Sequence, residues 1–169
     1  MEKEKTVCEE AVYDAIYKTQ VQSLRNFMYF KCRDRDTSYD LVQEAFIKLW
    51  ENCGKVAPEK AKSFLFTVAN NMFLNTAAHQ KVRYKFAEGF VHENEQHSPE
   101  FLLEEKQFGE KLQNALDSLT EMQRTAFLMS RVEGLKYREI AQTLDISEKA
   151  AGKRVLDALE NLRKTIYRL

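Results

Sequence analysis

Three cations near the end of the chain, Lys149, Lys153 and Arg154, could bind nucleic acid. Lys149 and Lys153 are four residues apart, which places them on one side of an α-helix, and Arg154 adjoins that side. Lys and Arg side chains in such positions bind phosphates and the major-groove acceptors of guanine. The same residues also suit the solvated face of an ordinary helical hairpin, so both interpretations stay open at this point.

A second polar cluster lies near the middle of the chain and combines amides, rings and cations. Its amides are Asn70, Asn71 and Asn75, its rings are Phe66 and Phe73, and its cations are Lys81, Arg83 and Lys85. In single-stranded nucleic-acid sites, amides read base edges, rings stack on bases and cations bind phosphates. The alternative is the polar end of a helix with both rings in the core, and the cluster taken alone favours that alternative.

No pattern in the sequence indicates enzyme chemistry. There is no phosphate loop, zinc-protease motif or nucleophile elbow. His92 and His97 are too few to suggest a metal site. Cys8, Cys32 and Cys53 are widely spaced and form no CxxC pair, so we expect reduced structural thiols rather than disulfides or zinc ligands. We therefore expect no enzyme and no cofactor.

Composition favours a helical protein that acts in the cytoplasm. The chain has 169 residues, a net charge of zero, five Gly and two Pro. It has no apolar run long enough to span a membrane, and its charged N-terminus lacks the features of a signal peptide. A DNA-binding chain of zero net charge must segregate its charges. Glutamates are concentrated between residues 88 and 110, which leaves the segments on either side more basic.

Apolar residues recur at helical spacing along most of the chain. We therefore expect an all-α fold of two small helical domains joined by a flexible linker, the second domain containing a helix-turn-helix. The domains are residues 1–87 and 99–169, and the breaker-rich linker is residues 88–98. The other predicted helices are Val7–Phe30, Asp40–Asn52 with Thr37 or Ser38 as its cap, Glu59–Phe86, Pro99–Ser118 and Leu119–Arg131.

The helix-turn-helix is predicted within Tyr137–Leu162. Ser147 suits the N-cap of the second helix, because its hydroxyl can accept a free amide hydrogen bond. Asp145 suits the left-handed residue of the turn. Ala141 is small enough for the two helices to cross closely, and Ala151 would pack the second helix on the first.

The helix Asp40–Asn52 is predicted to have one buried and one binding face. Its buried stripe consists of Val42, Ala45, Phe46 and Leu49. This leaves Ile47 and Trp50 on other faces, beside carboxylates. Since Trp is favoured at protein-binding hot spots, the pattern indicates a protein-docking face, with a core position for Trp50 as the alternative.

In this order the parts resemble a bacterial RNA polymerase sigma factor of the extracytoplasmic-function (ECF) group of the sigma-70 family. The segment Asp40–Trp50, DLVQEAFIKLW, resembles the polymerase-docking pattern DxVQExFxxxW. Phe64–Asn71, FLFTVANN, resembles WLxxIAxN, and Leu119–Leu144 resembles LPxxxRxxxxLxxxxGxSYxEIAxxL. The resemblance covers nearly the whole chain.

The resemblance implies a transcription initiation factor with three sets of binding residues. The docking set, for core polymerase, is Asp40, Gln43, Glu44, Ile47 and Trp50. The minus-ten set is Phe64, Asn70, Asn71, Asn75, Lys81, Arg83 and Lys85. The minus-thirty-five set is Arg138, Ser147, Lys149, Ala150, Lys153 and Arg154. The implied partners are the clamp and flap of core RNA polymerase and promoter DNA, with an anti-sigma factor as a further candidate and no membrane insertion.

The sequence departs from the family pattern in both DNA-binding parts. Thr120 replaces a common Pro, and Asn75 replaces the usual Asp. Gly152 ends an Ala-Ala-Gly run where Thr-Val-Lys or Thr-Val-Arg is common, and it costs the helix about 1 kcal/mol relative to Ala. At the position of Asp157 the family often has a basic residue. Two alternatives therefore remain: a stand-alone helix-turn-helix regulator, and a sigma-like protein that binds polymerase without reading DNA.

Overall fold

A computed structural model describes residues 6–80 and 109–166 of the chain. In the first range, called the N-terminal region, the helices are α1 (Glu10–Cys32), α2 (Arg35–Glu51), a 3-10 turn (Pro58–Lys60) and α3 (Ala61–Gln80). In the second, called the C-terminal region, they are α4 (residues 109–117), α5 (Glu121–Arg131), α6 (Tyr137–Leu144) and α7 (Glu148–Ile166). These two ranges contain no strand, and none of their helices has the length and apolar character that crossing a membrane requires.

Helix α1 starts and ends later than the predicted Val7–Phe30. Its C-cap is Arg33, a left-handed residue (φ 56°) whose backbone N–H donates to the Tyr29 carbonyl. Lys31 lies beyond the predicted end of this helix, but in the structure it follows Leu24 and Met28 on the buried side of α1. Its side chain is buried because it has polar partners elsewhere in the fold, which helical periodicity does not reveal.

Helix α2 is capped by Asp34, so the prediction of Thr37 or Ser38 as its cap is wrong. The Thr37 N–H donates to the Asp34 carboxylate at 2.7 Å. Asp is as strong an N-cap as Ser, and here it occurs three residues earlier. The Ser38 hydroxyl instead donates to the Arg35 carbonyl at 2.7 Å within the first turn.

The buried faces of α1, α2 and α3 form the core of the N-terminal region. The stripe predicted for α2, Val42, Ala45, Phe46 and Leu49, is buried. Phe66 of α3 is fully buried, and its ring lies 5.2 Å from that of Phe27 in α1. Phe66 is therefore a core residue and is not placed to stack on a base.

A disulfide joins Cys8, ahead of α1, to Cys53, just after α2. The expectation of reduced thiols is wrong for this pair, while Cys32 is free. The two cysteines are 45 residues apart in sequence, so their spacing gave no sign of the contact. Val7, the neighbour of Cys8, is fully buried.

The helix-turn-helix of the C-terminal region is confirmed as α6 and α7. Asp145 is left-handed (φ 52°) and forms the turn, and the Ala150 N–H donates to the Ser147 hydroxyl at 3.1 Å. Ala141 and Ala151 are buried where the helices pack together. Upstream, Thr120 is the N-cap of α5. The helix therefore starts normally although the family often has Pro at this position.

The two regions contact each other. Helices α1 and α3 of the N-terminal region lie against α5 and α6 of the C-terminal region. The predicted linker, residues 88–98, lies outside the described residues.

Candidate protein-docking and nucleic-acid interfaces

The docking set lies along one side of α2, opposite its buried stripe. Asp40, Gln43, Ile47 and Trp50 are exposed and Glu44 is half-buried. Ile47 is 51% exposed and Trp50 is 48% exposed, so Trp50 is not a core residue. Such large exposed apolar side chains beside carboxylates suit a protein partner with apolar and basic groups.

Helix α1 supports this face from behind. The Tyr13 ring meets the Trp50 ring edge-on at a centroid distance of 5.1 Å. The Tyr13 hydroxyl donates to the Phe46 carbonyl at 2.9 Å. Burial, followed by the nearby Tyr17, raises the pKa of Tyr13, so its hydroxyl stays protonated as a donor. Trp50 is thus partly held in place before any partner binds.

The minus-ten set divides into exposed and buried members. Asn71 and Asn75 are exposed on α3, and Phe64 is half-buried. Asn70 is only 5% exposed. The cations Lys81, Arg83 and Lys85 lie outside the described residues. Among the described members of the minus-ten set, Asn71 and Asn75 are therefore the amides that a base could reach directly.

The side chain of Asn70 is hydrogen-bonded to a lysine, Lys31, that was not among the residues predicted from the sequence. The Lys31 ammonium donates to the Asn70 side-chain carbonyl. It also lies over the Phe73 ring, 5.0 Å from its centroid, in a cation–π arrangement. The only sequence signal for Lys31 was its place on the buried side of α1. Asn70 and Phe73 thus have intramolecular partners in this arrangement.

The minus-thirty-five set lies on α6, α7 and the turn between them. Arg138, Lys149 and Lys153 are exposed, while Ala150 and Arg154 are half-buried. Ser147 is exposed, but its hydroxyl accepts the N-cap hydrogen bond of α7. Lys149 and Lys153 therefore form the accessible cationic face of α7, as their spacing predicted.

Gly152 has a packing role that explains its presence in α7. It is buried, and a Cβ atom at this position would lie 3.3 Å from the Tyr137 ring. Glycine therefore lets α7 approach the start of α6 closely, which offsets part of its cost to helix stability. Leu156 lies four residues further on and is 59% exposed, a feature the sequence argument missed. An apolar side chain beside Lys153 can contact a thymine methyl group in a major groove.

A cleft of about 320 Å³ separates α3 from the helix-turn-helix. It is lined on one side by Thr67, Asn70 and Asn71, and on the other by Thr143, Asp145 and Arg154. The Thr67 hydroxyl lies 2.9 Å from the Thr143 carbonyl oxygen, to which it can donate. Members of the minus-ten and minus-thirty-five sets therefore face the same cleft.

The described parts of the chain show no metal centre. Within residues 6–80 and 109–166, no group of three or more His, Cys, Asp or Glu side chains is placed to hold a metal ion.

Comparison with known proteins gives one family match in each of the two regions. Residues 16–83 match the family model for sigma-70 region 2, and residues 109–162 match that for sigma-70 region 4. The ECF RNA polymerase sigma factor SigM of Bacillus subtilis is 27% identical over 157 residues, covering 91% of this chain and 94% of SigM. The ferric citrate uptake sigma factor FecI of Escherichia coli is 25% identical, covering 92% of this chain and 91% of FecI.

A solved structure shares the fold. The sigma factor RpoE of Bartonella quintana, in complex with the anti-sigma factor NepR, superposes with a TM-score of 0.72 and 21% sequence identity. The match covers 92% of this chain and 96% of the RpoE chain.

Proposed function

The chain belongs to the sigma-70 family of RNA polymerase sigma factors, in its ECF group, and we propose that it docks on core polymerase through α2 and reads promoter DNA through α3 and α7. In this role it directs polymerase to specific promoters and helps to open the DNA. The polymerase supplies the catalysis, so the chain is not itself an enzyme. Its place of action is the cytoplasm, where polymerase and promoter DNA are found.

The observation that carries this proposal is the exposed face of α2. Ile47 and Trp50 are each about half exposed, and Trp50 is supported by Tyr13. This arrangement is suited to a large protein partner. A stand-alone helix-turn-helix regulator would not require such a face, and the match to sigma-70 region 2 spans it.

Each DNA-binding role follows from exposure and chemistry. Asn71 would bond a base that has left the stack, since unstacking one base costs only a few kcal/mol. Lys149 and Lys153 would read the major groove of the minus-thirty-five element. Arg138, exposed on α6, would bind the phosphate backbone. An N-terminal domain of residues 1–87 and a C-terminal domain of residues 99–169, joined by residues 88–98, would carry these two roles.

A further proposed partner is an anti-sigma factor, because the solved relative RpoE forms a complex with one. The chain covers nearly all of that relative, which supports a similar kind of complex here.

The test is transcription in vitro with purified core polymerase on a library of genomic DNA. We expect specific start sites that depend on the added protein. Glu44→Lys should weaken binding to core at least several-fold, because it reverses a charge in the docking set. The fold should persist, since the ion pair of Glu44 with Lys48, at 3.7 Å, lies on the surface.

The matched control is Glu59→Lys, which makes the same charge change at an exposed site outside α2. It should leave the affinity for core unchanged. Equal core affinity for Glu44→Lys and Glu59→Lys, with unchanged helix content, would contradict the docking face.

A further inference from the structure

The disulfide between Cys8 and Cys53 lies where a thiol reagent can reach it. Cys8 is exposed and Cys53 is half-buried. The next residue, Gly54, is also exposed, and a Cβ atom at its position would have the Cys8 sulfur as its nearest neighbour, at 4.0 Å. Since glycine has no side chain, residue 54 does not cover the Cys8 sulfur. A small thiolate can therefore approach this sulfur from the solvent.

The third cysteine is not placed to react with this disulfide. Cys32 is the last residue of α1, and at 1.5 Å per residue it lies roughly 33 Å from the start of that helix, next to Cys8. Burial raises the pKa of the Cys32 thiol to about 12, so almost none of it is thiolate, the reactive form of cysteine. Exchange at the Cys8–Cys53 disulfide therefore needs a thiol from another molecule.

The disulfide lies beside the docking set at the end of α2. Cys53 is three residues after Trp50, and its N–H donates to the Trp50 carbonyl at 3.1 Å. The side-chain amide of Asn52 donates to the Lys48 carbonyl at 2.8 Å and helps to close the end of the helix. Cys53 is thus attached to the same helix end that carries Trp50.

The disulfide also fixes the start of α1, which supports Trp50. Cys8 lies just ahead of Glu10, the first residue of α1. Tyr13 follows five residues after Cys8, and its ring meets the Trp50 ring edge-on at 5.1 Å. The covalent bond and the ring contact therefore join the same two helix ends, the start of α1 and the end of α2.

We propose that Cys8 and Cys53 form a thiol–disulfide exchange site for reducing dithiols and small disulfides. The oxidised protein binds core polymerase more tightly than the reduced protein, because the disulfide holds Tyr13 against Trp50. This inference rests on the proposed function of α2 in docking. A face that is ordered before binding loses less conformational freedom when its partner binds. Reduction gives the start of α1 more freedom, so it lowers the affinity for core.

Reduction takes place by two successive exchanges. A thiolate of the dithiol attacks the exposed Cys8 sulfur, the bond between the two cysteines breaks, and Cys53 leaves as a thiolate. The second thiolate of the dithiol then attacks the dithiol sulfur of this mixed disulfide, and Cys8 leaves as a thiolate. Two electrons pass from the dithiol, which becomes a disulfide, to the protein, whose two thiolates take up protons. Glutathione disulfide reverses the change and is itself reduced to two glutathione thiols.

The first measurement is the number of free cysteines in folded, full-length Cys32→Ser after reduction and after reoxidation. The protein is treated without denaturant, first with dithiothreitol and then with glutathione disulfide, and is alkylated in urea for mass spectrometry. We expect two alkylated cysteines after reduction, none after reoxidation, and the same helix content by circular dichroism throughout. A disulfide that is reduced only in urea, or a loss of helix content on reduction, would overturn the exchange site.

The second measurement is the affinity of oxidised and reduced Cys32→Ser for core polymerase. Each form is separated from its reagent in the absence of oxygen before it is mixed with core, so that the thiols of core are not altered. The reduced form should bind at least threefold more weakly than the oxidised form. The matched control is Cys8→Ser/Cys53→Ser, which should bind like the reduced form after either treatment.

Tyr13→Leu, made in Cys32→Ser, tests the connection from the disulfide to Trp50. It keeps an apolar side chain but removes the ring, so its oxidised and reduced forms should differ in core affinity by less than twofold. Equal core affinity of the two forms of Cys32→Ser, or a redox difference that Tyr13→Leu leaves unchanged, would overturn the proposed control of docking. Failure of both forms to bind core would instead contradict the proposed function, while the alkylation experiment would still decide whether the exchange site exists.

Discussion

At the scale of single residues, Glu133 is a carboxyl group whose charge should change near neutral pH. Its Oε1 atom is buried and has no hydrogen-bond partner among the described residues. Burial raises the pKa of Glu133 to about 7, although the positive charge of Lys62 acts in the opposite direction. The group is therefore protonated at pH 5 and mostly ionised at pH 8.

We expect Glu133 to make the protein less stable as the pH rises. Its pKa is higher in the folded protein than in the unfolded chain, so its protonated form favours folding. This contribution is fully present below the ordinary carboxyl pKa, and it is lost as the pH rises through about 7. Glu133→Gln cannot ionise and should remove this dependence.

The measurement is the melting temperature of wild type and Glu133→Gln between pH 5 and pH 8. Wild type should lose about 2 °C or more relative to the variant over this range. Glu59→Gln, at an exposed position, should follow wild type. Parallel curves for wild type and Glu133→Gln would contradict the prediction.

At the scale of elements, the sequence predicted those turns and helix caps whose contacts are made between residues close together in the chain. The turn and cap of the helix-turn-helix depend on Asp145 and Ser147, which lie within a few residues of the groups they contact. The burial of Lys31 near the end of α1 involves Thr125, which is 94 residues away. Helical periodicity also identified the exposed side of α2, but it could not show that Asn70 is covered, because the covering group comes from another helix.

The disulfide between Cys8 and Cys53 is another contact between residues that are far apart in sequence. Its removal should destabilise the N-terminal region. It closes a loop that contains α1 and α2, with a sequence separation of 45. A disulfide around a loop of this size typically stabilises a protein by about 2–4 kcal/mol. We therefore expect dithiothreitol to lower the midpoint of urea unfolding followed by circular dichroism.

The control is Cys8→Ser/Cys53→Ser, whose midpoint should be low and unaffected by dithiothreitol. Alkylation of the unreduced, unfolded wild type should modify one cysteine, Cys32. Three modified cysteines, or an unchanged wild-type midpoint on reduction, would show that the bond is absent or without effect. Because the cytoplasm, the proposed place of action, keeps most thiols reduced, the transcription assays should include both redox states.

At the scale of the whole molecule, the sequence predicted two helical regions but not the contact between them. The proposed linker, residues 88–98, is acidic and contains Gly89, Asn94 and Ser98, which break regular structure. We expect brief protease treatment to cut there first and to leave two helical fragments. Mass spectrometry of the early products would locate the cuts. Early cleavage inside α2 would contradict this division of the chain.

The long sequence separation between Lys31 and its partner Thr125 also sets an order of events during synthesis. The N-terminal region leaves the ribosome before Thr125, which lies 94 residues after Lys31, has been made. At about 5–20 residues per second, translation of that stretch takes roughly 5–20 s. During this interval the docking set and the amides of α3 are present on the nascent chain without the C-terminal region to cover them. In a newly made molecule Lys31 therefore first meets water, and its contact with Thr125 forms only after the C-terminal region has been synthesised.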